Sequence, residues 1–424
     1  MTDEKYPPST AQAKHPATTP NEMRSTLHTS SSQPTETTGN LLEGIPESGA
    51  DLTSIIQTSF KDQQPILLID DTDIFYRSAL VFPAEIATPE LVNSCLKKTN
   101  GATIQVALSP KRAETFQLEP MGFNRFESRD TRTNTPRELV SVEARKNVST
   151  GISAHDRAET IKVLGMNEPN PRGIVKPGHI FPIRTREGGC LVRSALAEAA
   201  LDMTLLSGFR DAACFLEFFN EQGEYATQKD WHSVVTSDGI GCVTISGLIE
   251  HRLKHEQLIR RINEVNLPTS YENDMKAYLY RSEIHKGDHI ALVKGEITQD
   301  VPVLTRVHPE DTFIDVFGAS SARENTPLHV ALQAISQAEV GVLIYLRRPE
   351  QTPLARSLKQ ENRHKRPVGT RMKEYGLGAQ ILRDLGVKKI DLLASSEAPE
   401  AGLASYGLTV IRQQPLVRTQ AEEI

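Results

Sequence analysis

From about residue 51 onward, compact apolar runs alternate with amphipathic ones. Ile66-Leu-Leu-Ile69 and Ile104-Gln-Val-Ala-Leu108 are short aliphatic runs that predict strands. Pro89 to Lys98 sets proline at a first turn, so a helix is expected there. Ser153 is placed to cap a helix through Val163, and alanine-rich Ala195–Leu206 predicts another. A charged run over Leu248–Asn263, followed by Pro268, predicts a connecting helix. Beyond it Ile290–Val293, Val303–Val307, Val342–Leu346, Ile390–Ala394 and Leu408–Ile411 read as strands, with helices over Leu328–Ala338 and Gly378–Leu385. The mixture indicates α/β (α+β) domains, and no internal repeat is visible.

Residues 1–46 break the pattern. They are rich in Ser, Thr, Pro and Gln with few large apolar residues, too few to offset the entropy of ordering, so a disordered tail is expected. No apolar core of a secretory signal is present there. Arg24 is its single arginine beside Asp3, Glu4, Glu22, Glu36 and Glu43, which disfavours a transit peptide.

A length of 424 residues suits two or three domains. With 38% hydrophobic and 24% charged residues and a net charge of -6, the chain has no footprint for nucleic acid or an anionic membrane. No apolar run approaches the roughly 18 residues that cross a bilayer. Cys95, Cys190, Cys214 and Cys242 lack metal-type spacing and are expected as buried thiols in a reducing, cytoplasmic setting.

The elements Gly287-Asp-His-Ile-Ala-Leu-Val-Lys-Gly-Glu-Ile297, Arg306-Val-His-Pro-Glu310, Gly341-Val-Leu-Ile-Tyr-Leu-Arg347 and Tyr375-Gly-Leu-Gly-Ala-Gln-Ile-Leu-Arg-Asp-Leu-Gly386 resemble GTP cyclohydrolase II in order and spacing. Upstream, Leu67-Leu-Ile-Asp70, Phe82-Pro-Ala-Glu85, Thr150-Gly-Ile-Ser-Ala-His-Asp-Arg157, Pro177-Gly-His-Ile-Phe-Pro182 and Glu217-Phe-Phe-Asn-Glu-Gln-Gly223 resemble 3,4-dihydroxy-2-butanone 4-phosphate synthase. Fused in this order, the two are a bifunctional arrangement of riboflavin biosynthesis. The resemblance implies two mixed-sheet domains in tandem: synthase-like over 47–256, a linker over 257–272, and cyclohydrolase-like over 273–424. It also implies zinc in the second domain, magnesium in the first, and dimerisation.

Against that resemblance the chemistry departs at many positions. The three zinc-ligand cysteines become Asp311, Ala322 and Glu324. The acidic loop of the synthase becomes Asp70-Asp-Thr-Asp-Ile-Phe-Tyr-Arg-Ser-Ala79, which sets Ile74 at the substrate arginine, Phe75 at a magnesium ligand, and Arg77 and Ala79 at further acids. The metal-binding histidine falls on Leu196. The nucleotide-contacting turn reads Arg347-Arg-Pro-Glu-Gln351, and the acid–nucleophile pair reads Arg371-Met-Lys373. The phosphate-facing Asn-Asn-Pro-Lys element reads Ser395-Ser-Glu-Ala398. Magnesium needs hard oxygen ligands, and a lysine is no substitute for the planar guanidinium.

Neither zinc nor magnesium is therefore expected, and no cofactor. His179, Glu217 and Lys373 remain as vestigial catalytic residues, and Arg193, Arg306 and Glu310 as ligand-binding ones. The expected function is a catalytically inactive homologue that keeps its fold for ligand binding or assembly. Its partners would be a phosphorylated small molecule and a second copy or an active paralogue, with no nucleic acid and no membrane. The alternatives are an enzyme repurposed for another sugar phosphate or purine derivative, and residual activity of both parent kinds.

Overall fold

The computed structural model describes residues 52–72, 76–121, 137–284, 287–298, 301–319, 326–347, 368–394, 403–404 and 406–416. The expected tail at 1–46 lies outside them, as do Ile74, Phe75, Ala322, Glu324 and the 395–398 element.

In the first half, α1 (Leu52–Lys61) leads into β1 (Ile66–Ile69) and β2 (Ser78–Pro83). Then come α2 (Pro89–Lys98), β3 (Ile104–Leu108), α3 (Pro110–Thr115), β4 (Arg137–Glu138) and β5 (Val142–Ala144). They are followed by α4 (Ala154–Gly165), β6 (Ile174–Arg184), α5 (Leu196–Leu206), β7 (Ala212–Glu217), α6 (Gln228–Asp238), β8 (Cys242–Thr244) and α7 (Ile245–His255). Local chemistry sets the helix starts: Thr88 and Ser153 accept the Leu91 and Asp156 N–H groups, satisfying donors that the helix itself leaves open. Among the described residues these strands form an eight-stranded mixed sheet in the order β4-β6-β3-β7-β2-β1-β8, with β5 paired to β6.

The second half runs β9 (Ile259–Asn266), β10 (Lys276–Ser282), β11 (Asp288–Lys294), β12 (Val303–Pro309), α8 (Thr312–Asp315), α9 (Pro327–Gln337), β13 (Gly341–Leu346), α10 (Val368–Asp384), β14 (Lys389–Ala394) and β15 (Thr409–Pro415). Its described strands make a seven-stranded mixed sheet, ordered β15-β14-β12-β13-β11-β10-β9. The two tandem mixed sheets match the expected class.

Two expectations fail around the junction. The helix predicted over Leu248–Asn263 stops at His255, and the linker expected at 257–272 holds β9, paired antiparallel to β10. The cause is tertiary. Gln380 Nε2 donates to the Leu253 and Glu256 carbonyls and its Oε1 accepts from Leu258 N, so a side chain from α10 closes the end of α7. The helix expected over Gly378–Leu385 instead spans Val368–Asp384, and within it Gly376 lies so close to α7 that a methyl group there would meet the Leu253 methyls at 2.8 Å.

Residues 45–424 form one compact unit, and one apolar cluster runs from Phe60, Met203 and Phe215 in the first half to Ile344, Ile381 and Leu392 in the second. The opposite face of the second sheet is covered by α9, where Leu343 packs with Ala331, Leu332 and Ile335. Leu343 is 1% exposed, so Leu343→Ala is expected to cost about 2–5 kcal/mol and to lower the melting temperature by several degrees. An unchanged thermal melt would show that this cluster repacks at no cost.

Candidate functional site

In the first half, the chemistry-bearing side chains gather at neighbouring strand ends. The β1–β2 pairing ends at Ile69↔Ser78, and β2 pairs β7 at Ala79↔Glu217, which brings Asp70, Arg77 and Glu217 together. Arg77 Nη2 is 3.9 Å from an Asp70 oxygen, and buried Asp70 accepts from the Thr72 hydroxyl at 2.6 Å and its N–H at 3.1 Å. Burial raises the Glu217 carboxyl and Arg77 draws it back, with Asp70 and Glu138 adding repulsion. Glu217 Oε2 is buried without a hydrogen-bond partner among the described residues.

His179 stands on β6 and is 45% exposed. Its Nδ1 lies 3.0 Å from Glu143 Oε2, from adjacent β5, which leaves Nε2 as the ring's outward nitrogen. Glu143 was missed in the sequence; the signal was its place one strand away from His179. Nearby, buried Asp156 accepts from the Ser149 hydroxyl and the Gly151 N–H, which together hold its carboxyl near 2.

Leu196 opens α5 at 4% exposure. Two turns of that apolar helix carry Glu198 and Asp202, both buried. Glu198 Oε1 accepts from Arg193 Nη1 at 3.2 Å and from Arg186 N at 3.1 Å, whereas Oε2 has no hydrogen-bond partner among the described residues. Asp202 accepts from Cys190 N at 2.8 Å and from Arg252 Nη1 at 2.7 Å, and Arg252 also grips Glu256 through two nitrogens. Burial raises both carboxyls, although the arginines oppose it, and pushes the Cys190 thiol up. The signal for this cluster was visible: two acids four residues apart in an alanine-rich helix share one face.

Lys373 joins this cluster from the other half. It extends from α10 within electrostatic reach of Cys190, Glu198, Asp202 and Arg252, and burial pulls its ammonium down to about 8 against the pull of the acids.

At the second half's strand ends, Arg306 is buried and donates to the Leu393 carbonyl at 2.9 Å. His308 Nε2 faces Asp315 at 3.0 Å, and Tyr345 donates its hydroxyl to the same carboxylate at 3.0 Å. Glu310 is half-buried, its N–H on the Leu346 carbonyl. Asp311 caps α8 through the Ile314 N–H, which commits its carboxylate locally. The Cys95, Cys190, Cys214 and Cys242 thiols are free and buried.

The groups the family fold implies do not fit the donors described. Aliphatic Leu196 and the cationic Arg77 offer no donor to a metal ion, and one Asp311 oxygen accepts from the Ile314 N–H at the start of α8. Among the described residues no three His, Cys, Asp or Glu side chains converge as metal ligands would, and no helix is long and apolar enough to cross a membrane.

Fold and site thus define a two-domain protein of the flavin-pathway class. The 3,4-dihydroxy-2-butanone 4-phosphate synthase family matches residues 54–251, and the GTP cyclohydrolase II family matches residues 260–415. "Riboflavin biosynthesis protein RibBA" of Salinispora tropica is 33% identical over 83% of this chain and 90% of its own. "Monofunctional riboflavin biosynthesis protein RIBA 2, chloroplastic" of Arabidopsis thaliana is 34% identical over 84% of this chain and 74% of its own. Among solved structures, RibBX of A. baumannii, titled a two domain 3,4-dihydroxy-2-butanone 4-phosphate synthase, superposes with a TM-score of 0.72 at 27% identity, covering 85% of this chain and 99% of that one. The chain belongs to the bifunctional riboflavin biosynthesis family.

Proposed function

We propose that this chain is a catalytically inactive member of that family, keeping the fold to bind a phosphorylated small molecule or to assemble with a second copy or an active paralogue. The observation that carries this reading is Arg77. Its guanidinium stands 3.9 Å from Asp70 and draws down the Glu217 carboxyl, so a fixed side-chain cation balances acids that a divalent ion balances in a magnesium site. Leu196 and the capping role of Asp311 support the same reading, and neither zinc nor magnesium has a role in it.

A second reading, an enzyme repurposed for another sugar phosphate or purine derivative, is favoured by one observation: the exposed His179–Glu143 pair keeps the geometry of a general base with its orienting carboxylate. Purified protein is expected to release no formate from GTP or from ribulose 5-phosphate, with or without added zinc or magnesium, and to contain no stoichiometric zinc. Both parent reactions yield formate, so release from either substrate would overturn the main reading in favour of residual activity. Turnover of a different sugar phosphate, lost in His179→Ala, would favour the second reading.

A further inference from the structure

Outside both family sites, the last turns of α7 carry a histidine pair. His251 and His255 are four residues apart, so their side chains leave the same face of the helix. Their rings stack, with centroids 4.2 Å apart and planes 28° apart. His255 Nδ1 lies 2.8 Å from the His251 carbonyl oxygen. A carbonyl only accepts, so in the neutral ring Nδ1 carries the proton and Nε2 keeps its lone pair. His251 Nε2 meets the Thr53 hydroxyl of α1 at 3.1 Å. His255 is exposed and His251 half-buried, which leaves the pair within reach of a hydrated ion.

We infer that His251 and His255 form a bidentate site for a divalent transition-metal ion of the copper(II) type, with water in the remaining positions. Neither parent site contributes a residue, so the inference goes beyond the proposed function. Two histidines at this spacing on one helix face are the donor pair of helix-borne metal sites. Two metal–nitrogen bonds of about 2.0–2.1 Å, set side by side, span about 3 Å, which rings stacked at 4.2 Å reach by a small turn about their side-chain bonds. The His255 Nδ1–H on a backbone carbonyl is the outer contact that fixes the tautomer of a metal-ligating imidazole. The pair also stands at the C-terminal end of α7, where the partial negative charge of the helix favours a cation. Neighbouring cations are already matched by acids: Lys254 by Glu250 at 2.6 Å, and Arg252 by Glu256 and Asp202. Two nitrogens with oxygens completing the set suit tetragonal copper(II) or nickel(II), and copper(II) binds most tightly in that series. On binding, the two Nε2 lone pairs replace two waters of the hydrated ion, and the Thr53 hydroxyl gives up its contact with His251. Nothing is oxidised or reduced.

The test is a titration of full-length protein with copper(II) sulfate at neutral pH, followed by calorimetry and electron paramagnetic resonance. One site with two nitrogen donors is expected, with nickel(II) binding more weakly and magnesium not at all. His251→Gln or His255→Gln should weaken copper binding about tenfold or more, whereas His232→Gln, which removes an exposed histidine from α6, should leave it unchanged. Copper should raise the melting temperature of the parent and of His232→Gln but not of His255→Gln. His255 is exposed, and a metal-free melt of His255→Gln matching the parent shows the fold intact, so this variant decides the question even where His251→Gln unfolds. Copper bound by His255→Gln with the parent's affinity would overturn the inference. Weak binding shared equally by every variant would mean an adventitious ion only, and would overturn it too. The readout is metal binding and not formate, so it stands or fails separately from the inactive reading.

Discussion

Gly178→Ala is expected to separate His179 from Glu143 and to destabilise the fold more than an ordinary methyl insertion. A Cβ at residue 178 would overlap the Val142 carbonyl group and the Glu143 N–H, which are backbone atoms of β5 and cannot turn aside. The only relief is to move β5 away from β6, and that breaks the Val142↔Ile180 register and the Gly178 N–H bond to the Ser141 hydroxyl. Overpacking alone costs roughly 1–3 kcal/mol, and the lost strand pairing carries the total to about 3–5 kcal/mol. Gly287→Ala is the matched control, because a methyl group there meets nothing within 4 Å. Thermal melts of both variants, with the His179 ring followed by NMR, check the claim. A Gly178→Ala protein that melts with the control and keeps an unshifted His179 signal would show that β5 yields without cost.

Much of the fold was legible because it depended on neighbours in sequence. The cap at Ser153, Pro89 at a helix start and the short aliphatic runs each act within a few residues, and the corresponding elements stand where expected. The junction was not legible, because Gln380 ends α7 from 124 residues away and no local signal records it. The site divides in the same way. Residue-by-residue resemblance located His179, Glu217, Arg193 and Lys373, but not their partners. Glu143 meets His179 only through the β5–β6 register, and Lys373 comes within electrostatic reach of Glu198 and Asp202 only because α10 packs closely on α7 at Gly376. Sequence order assigned Lys373 to the second half's chemistry, whereas its electrostatic surroundings belong to the first.

That displacement makes the stability of the protein depend on pH in a direction opposite to an ordinary ion pair. Lys373 titrates near 8 in the folded chain and near 10.4 when unfolded, so folding releases its proton over the interval between them. The unfolded state then binds more protons, and stability rises as pH climbs from about 8 toward 10.4; below 8 the ammonium is present in both states and its full cost is felt. Lys373→Met removes this cost. At pH 7 the variant is therefore expected to be more stable than the parent by on the order of 2–3 kcal/mol, and the gap should close by about pH 10.5. Denaturant unfolding of both proteins at pH 7 and pH 10 measures it. A variant less stable than its parent at pH 7 would mean that the acids return more than burial takes, which would make Lys373 a counter-ion for Glu198 and Asp202.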